Sequence, residues 1–461
     1  MKENLNTPLA LGTAKVSRLL AYYAFPSIIA MITASLYNIV DSIFIGHGVG
    51  AMAISGLAVS FPLMNISAAL GTLVGVGASS LMSIKMGQKD YKTADKILGN
   101  TIILNLIIGT LQLIFFLIWL KPILILFGAG EETLPYAYDY MVVLVVGNII
   151  THLYYGLLAL LRSSGYPRLA MIIPIITIVL NAVLDAVFIF VFKMGIFGAA
   201  FATVLAQVVG LAILTRHFMS KKSFVHFKKG IFKFDLHLAK EIVAIGTAPF
   251  LLNLCSCLVV VFINNALKDI GGDISVGAYG IVNRVSMLFV MIVFGITQGL
   301  QPIVGFNYGA KKYDRLKSAF KMGSIAATAV VCVGAIVCIA FPYTMAKMFT
   351  TDPTLLEVSR HGLRITNLAF PVVGFGIVVS NFFQSIGKPV KAIFLSVTRQ
   401  LVFLIPLLIF LPPMFENTTG VWLSIPISDV ISSILSVILV TNQLKKLNNV
   451  VQIPENNGNK I

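Results

Sequence analysis

Three carboxylates stand where a carboxylate is costly. Of the 18 acidic residues, only Asp41, Asp185 and Asp429 fall well inside long apolar runs, where an ionised side chain costs at least about 2.5 kcal/mol and by default marks a functional site. Polar residues accompany two of them at helical spacing. Tyr37 and Asn38 precede Asp41 by four and three residues, Asn181 precedes Asp185 by four, and Gln207 lies one turn beyond Thr203. Two carboxylates, an amide and a hydroxyl are the oxygen ligands that a hard cation such as Na⁺ requires. Two neighbouring carboxylates in a low dielectric also resist double ionisation, so the pair can hold a proton instead.

The elements that must position these groups are membrane helices. The chain has 461 residues, is 57% hydrophobic and 11% charged, and has a mean hydropathy of +0.92, far from a soluble domain. Uncharged runs of about 20 residues recur, each long enough to cross about 30 Å of hydrocarbon. Segments alternating as membrane strands must are not visible, which leaves helices. Twelve spans are expected, at 19–45, 52–83, 95–119, 139–162, 168–192, 195–215, 242–267, 277–304, 319–347, 361–386, 390–414 and 418–442. The first is too long for the apolar core of a signal peptide, and no small-residue cleavage site follows it, so no cleaved signal is expected.

The net charge of +16 invites a nucleic-acid reading, which the placement of the charges opposes. About 26 of the 34 Lys and Arg fall at the termini or in even-numbered loops, and about six in or beside odd-numbered ones, the positive-inside pattern. Both termini are therefore expected in the cytoplasm of a multi-pass cytoplasmic-membrane protein, with no nucleic-acid partner. The basic stretch 216–241 reads as a linker against anionic headgroups. Cys255, Cys257, Cys332 and Cys338 lie in apolar spans without ligand-spaced company, and the six histidines form no metal pair. No metal enzyme and no cofactor are expected, and an enzyme would also lack a nucleophile with its base.

Depth then groups the polar residues. Counted from the expected start of each span, Asp41 lies roughly 34 Å and Asp185 roughly 26 Å from the cytoplasmic end, while Thr203 lies roughly 12 Å in from the outside. All three fall at one level in the outer half. Arg399 lies roughly 14 Å in from the cytoplasm and Asp429 roughly 16 Å in from the outside, so an ion pair between them is expected near the midplane, with a structural role. Arg284 reads as the remaining buried cation, with Asn283 beside it as a cleft residue. Several spans carry an internal proline; Pro26, which shares a helix with Asp41, is the candidate hinge.

The sequence is also written twice. At a shift of 222 residues "KMGQKDYKTADK" (85–96) falls on "NYGAKKYDRLKS" (307–318), and "RSSGYPRLA" (162–170) on "QSIGKPVKA" (384–392). The same shift pairs Phe127 with Phe349 and Gly198 with Gly420, and one residue more pairs Pro26 with Pro249. Each copy holds six spans, an even number, so the copies are parallel repeats. The expected fold is an all-α membrane protein of twelve transmembrane helices in two parallel six-helix repeats. The expected lobes are 1–215 and 242–461, joined by the linker 216–241. The acids are not duplicated: Asp185 shifts onto Leu407, Asn181 onto Phe403, Thr203 onto Ile425, and Asp41 onto Ile263 or Asn264. Ion coupling is therefore expected in the first half alone.

Twelve spans in parallel halves, "VDSIFIG" closing the first span, "NAVLDAVF" in the fifth, and the G-x-x-x-Y loop after spans two and eight resemble the multidrug and toxic compound extrusion (MATE) transporters. The likeness is to their DinF-like and MepA-like prokaryotic branch, and it covers essentially the whole chain. It implies a V-shaped pair of lobes that exports organic cations against Na⁺ or H⁺, and it carries that branch's ion-site residues onto Asp41, Asn181, Asp185 and Thr203. Another branch uses acids in spans seven and ten, where this chain offers Asn264, Asn265, Asn367 and Gln384, so no second cation site is carried over. Tyr37, Asn38, Gln207, Asn283 and Arg284 remain candidate cleft or supporting residues. The expected function is a cation-coupled antiporter of amphipathic organic cations, acting as a monomer. The alternative is a flippase for a lipid-linked saccharide, which Arg284 and Arg399 keep open.

Overall fold

The computed structural model describes residues 5, 7–221, 223–415 and 417–452, with the side chains of 36–39, 51 and 450–452 outside the description. The described residues form helices and no strand. Six helices make the first half: α1 (Val16–Gly48), α2 (Ala51–Gly87), α3 (Tyr91–Leu126), α4 (Leu134–Ser163), α5 (Pro167–Ala186, continued by a wide π turn at Val187–Val191) and α6 (Gly195–Met219).

The second half opens on 74 helical residues, Leu236–Gly309, about 110 Å of helix at 1.5 Å per residue and far more than one crossing needs. Gly272 divides them into α7 (236–271) and α8 (273–309) with φ 63° and ψ −169°. Only glycine enters that region without a steric penalty. Its counterpart 222 residues earlier, Gly50, parts α1 from α2 at φ 116°. The sequence wrote one break twice.

Beyond α8 come α9 (Tyr313–Ala340), a bent tenth span, α11 (Pro389–Met414) and α12 (Thr419–Gln452). The tenth span departs from the uniform run expected at 361–386. It starts at Pro353 and breaks into Pro353–Thr366 and Phe370–Ser385, bent by 57°. Pro371 causes this: it donates no backbone N–H and disfavours helical geometry in the residue before it. α11 is likewise interrupted by a π segment, Thr398–Leu404, just before Pro406.

The halves also repeat in their hydrogen bonds. Ser67 Oγ donates to Asn148 Oδ1 at 2.8 Å, and Ser286 Oγ to Asn367 Oδ1 at 3.3 Å, each across 81 residues. Buried apolar side chains form three clusters. One draws on both halves near the end that carries the chain termini, including Leu19, Leu81, Ile242 and Val304. Another, with Ile45, Phe116 and Tyr140, belongs to the first half alone, and the third, with Ile263, Tyr279 and Trp422, to the second alone. The halves are thus joined at the terminal end and separately packed at the other.

The joint is close enough to exclude a methyl group. A Cβ on Gly87 would lie 2.0 Å from Phe306 O, and one on Gly309 2.0 Å from Ile84 O, the same contact from the other repeat. Gln301 Nε2 donates across the joint to Ser79 Oγ at 2.9 Å and Ser80 Oγ at 2.6 Å. Gln301 and Ser79 are themselves 222 residues apart, so this contact lies on the axis relating the repeats.

Two connections are more tightly held than a linker and a tail. In the basic stretch Lys228 pairs with Asp95 at 2.6 Å, Asn100 bonds Lys233 O and Asp235 N, and Val225 and Ile231 are buried. At the start of the chain, Leu11 O accepts from Asn307 at 3.0 Å and Gly12 O from Lys312 at 2.7 Å. The first residues therefore strap onto the second half.

Candidate ion site and the chamber beside it

Asp185 and Asn181 project from one face of α5, a turn apart, just before the π turn at Val187–Val191. Such insertions are frequent at functional sites. Asp41 enters from α1 and Thr203 from α6. Asp41, Asn181 and Asp185 are 5%, 3% and 0% exposed, so the site is closed to bulk solvent. With its nitrogen turned to the acid, the Asn181 amide donates to Asp185 Oδ2 at 3.0 Å. Its oxygen then accepts from Thr203 N at 3.1 Å, with Thr203 Oγ1 3.3 Å away.

The Asp41 and Asp185 carboxyls approach within hydrogen-bonding reach of each other. The Tyr140 hydroxyl, from α4, donates to Asp41 Oδ2 at 3.5 Å, while Asp41 Oδ1 has no donor against it among the described residues. Two ionised carboxylates in contact inside a low-dielectric bundle repel strongly. A shared proton or a bound cation removes that repulsion, and both fit the oxygen-rich group.

Beneath this cluster lies a cavity of about 120 Å³, lined by Asn181 and Thr203 at one end and reaching Thr177, Gln207 and Arg162. Gln207 accepts from Thr151 Oγ1 at 2.5 Å. The cluster is therefore continuous with a chamber inside the first half.

The other sequence candidates fall in different places. Tyr37 and Asn38 lie outside the described side chains. Asn283 and Arg284 are both exposed and line neither of the two larger cavities, which corrects the reading of Arg284 as buried. On that helix Val282 and Val285 take the inward positions, and the period of 3.6 turns 283 and 284 outward. Arg399 Nε meets Asp429 Oδ1 at 2.7 Å. Pro26 is buried within α1, where the Ser27 hydroxyl bonds back to Tyr23 O at 2.9 Å.

Sequence reasoning passed over Tyr140, Thr151 and Arg162. Tyr140 lies six residues into α4, about 9 Å deep, so the depth count that grouped Asp41 with Thr203 would have found it.

Twelve helices in two like lobes, a buried acid pair and a chamber within the bundle define a membrane transporter. The family model described as MatE matches the chain twice, over residues 26–187 and 245–410, and the chain belongs to this family, whose members are transporters and not enzymes. The two matches fall one on each repeat. The chain is 26% identical over 427 residues to the multidrug export protein MepA of Staphylococcus aureus (strain NCTC 8325 / PS 47), covering 92% of this chain and 93% of that one. A solved structure of a MATE in the bent conformation superposes with a TM-score of 0.91 at 25% identity, over 96% of this chain and 98% of the other. A further one, described as the outward-facing conformation of a multidrug resistance MATE family transporter of the MOP superfamily, superposes with a TM-score of 0.89 at 25% identity, over 95% and 98%.

Proposed function

We propose that this protein is an antiporter that exports amphipathic organic cations, driven by ions taken up at Asp41 and Asp185. One observation carries the reading: two carboxyls buried in separate helices approach within hydrogen-bonding reach, with Asn181 and Thr203 completing the oxygen set. Contact between two carboxyls requires a proton between them, so the state described here is the proton-loaded one. Na⁺ remains a second reading, because the unpartnered Asp41 Oδ1 supplies an anionic ligand of the kind a hard cation takes.

The basic loops support placing both termini, and hence the joined ends of the lobes, in the cytoplasm. The separately packed ends then face outward. In this reading lobes 1–215 and 242–461 rock about the glycine-packed joint, and Pro26 lets α1 bend as the acids discharge. The working unit is a monomer. The relatives' names support drug export, and the exposed Arg284 gives a saccharide flippase no support.

The test is ethidium uptake into everted membrane vesicles with a pH gradient and a Na⁺ gradient imposed separately. Uptake driven by the pH gradient is expected, and dye retention indifferent to both gradients overturns the antiporter reading.

A further inference from the structure

The Arg399–Asp429 pair lines the larger of the two cavities, about 170 Å³ in the second lobe. That cavity is the repeat of the chamber beneath the acids. At the 222-residue shift Arg162 corresponds to Gln384, Thr177 to Arg399 and Gln207 to Asp429, and all six line their own cavity. Duplication built two chambers, and their chemistry then diverged. Where the first opens on Asn181 and Thr203, the second has Phe403 and Ile425. Where the first has Thr177, the second has a guanidinium.

The pair is asymmetric in a way that a purely structural ion pair need not be. Asp429 is 4% exposed, whereas the Arg399 side chain is 30% exposed. Asp429 takes only Nε, at 2.7 Å, and no bond from a described residue meets Nη1 or Nη2. The forked end of the guanidinium thus faces the cavity with its charge held in place from behind. Gln384 is 6% exposed and lines the same cavity with Nε2 unpartnered, and Gln298 lines it with Oε1 unpartnered. A buried polar atom without a partner costs about 1–3 kcal/mol. A planar fork beside an idle amide donor fits a carboxylate, which accepts two parallel bonds from such a fork. Phe294 and Leu395 in the same wall suit a flat apolar body attached to it.

We propose that the second-lobe cavity is a subsite for the carboxylate of zwitterionic aromatic substrates, held by the outer edge of Arg399 and by Gln384 Nε2, while Gln298 Oε1 accepts from a donor on the same molecule. This deepens the export reading and rests on it for the substrate's purpose, but the binding itself is measurable without transport.

The test uses the purified full chain in detergent with no gradient, and two dyes differing in one group: rhodamine 110, with a free carboxylate, and its methyl ester rhodamine 123. Fluorescence anisotropy is expected to show the acid bound about tenfold more tightly than the ester, a difference of about 1.4 kcal/mol. Gln384→Leu, which leaves the ion pair intact, should weaken the acid several-fold and leave the ester unchanged. The combined Arg399→Gln and Asp429→Asn variant, which strands no buried charge, should erase the preference. Equal binding of the two dyes by the unaltered protein, a preference that survives both variants, or a loss of both dyes together in both variants overturns the proposal. Arg162→Gln should keep the preference, and losing it there would assign the carboxylate to the first chamber. Asp41→Asn with Asp185→Asn should also keep it, so a failed coupling reading and a failed subsite give different results.

Discussion

At the scale of single residues, the site depends on charge rather than volume. Asp41→Asn and Asp185→Asn preserve shape and remove the titrating group, so each should abolish gradient-driven dye transport while the purified protein keeps its elution profile and helical circular dichroism. Full activity in both would leave the acid pair without a role in coupling. Tyr140→Phe removes one donor from Asp41, and at 3.5 Å that bond is long. It should cost about 0.5–1.5 kcal/mol, read as a few-fold fall in transport rate with dye affinity unchanged. How these residues group was legible early, because the price of a charge in hydrocarbon makes each acid conspicuous in the sequence. Tyr140 was not conspicuous, since a tyrosine near the end of a span is ordinary.

At the scale of elements, the helices and most of their ends follow from local chemistry. Asp90, Asp235 and Asp352 accept from backbone N–H groups at the starts of α3, α7 and the tenth span, the usual preference for a short acid at that position. The twelve apolar runs gave the helices, and the shift of 222 residues paired Gly50 with Gly272. The 57° bend in the tenth span and the π segments escaped notice, because a proline permits a bend without fixing its angle and a π turn has no pattern of its own in the sequence. The close joint can be tested here. Gly87→Ala and Gly309→Ala each place a methyl 2.0 Å from a carbonyl oxygen, and such overpacking costs about 1–3 kcal/mol. Each should lower the unfolding temperature in a detergent thermal-shift assay by several degrees, and by similar amounts, since the two contacts are repeats of one another. An unchanged unfolding temperature would show that the lobes part freely there.

For the whole molecule, the balance between conformations rests on the joint. Gln301 donates across it to Ser79, Ser80 and Val76 O. Gln301→Leu removes these bonds and should shift the population toward a form open at the terminal end, about tenfold for each 1.4 kcal/mol lost. Faster thiol labelling of a cysteine placed at Ser80 in the Gln301→Leu chain than in the Gln301 chain would report it, and equal rates would show that the joint does not set the balance.

By itself the sequence determined that this chain crosses a membrane twelve times, that its halves are copies, and which acids are out of place. Each of these follows from a local quantity: apolar run length, a fixed shift, or the cost of one charge in hydrocarbon. Only the tertiary structure decided that the Asp41 and Asp185 carboxyls touch, that Arg284 turns outward, and that Arg399 leans on Asp429 to face a cavity. Those depend on the rotation of each helix about its own axis and on the partner it meets there, and a composition that is apolar on nearly every side leaves that rotation unmarked.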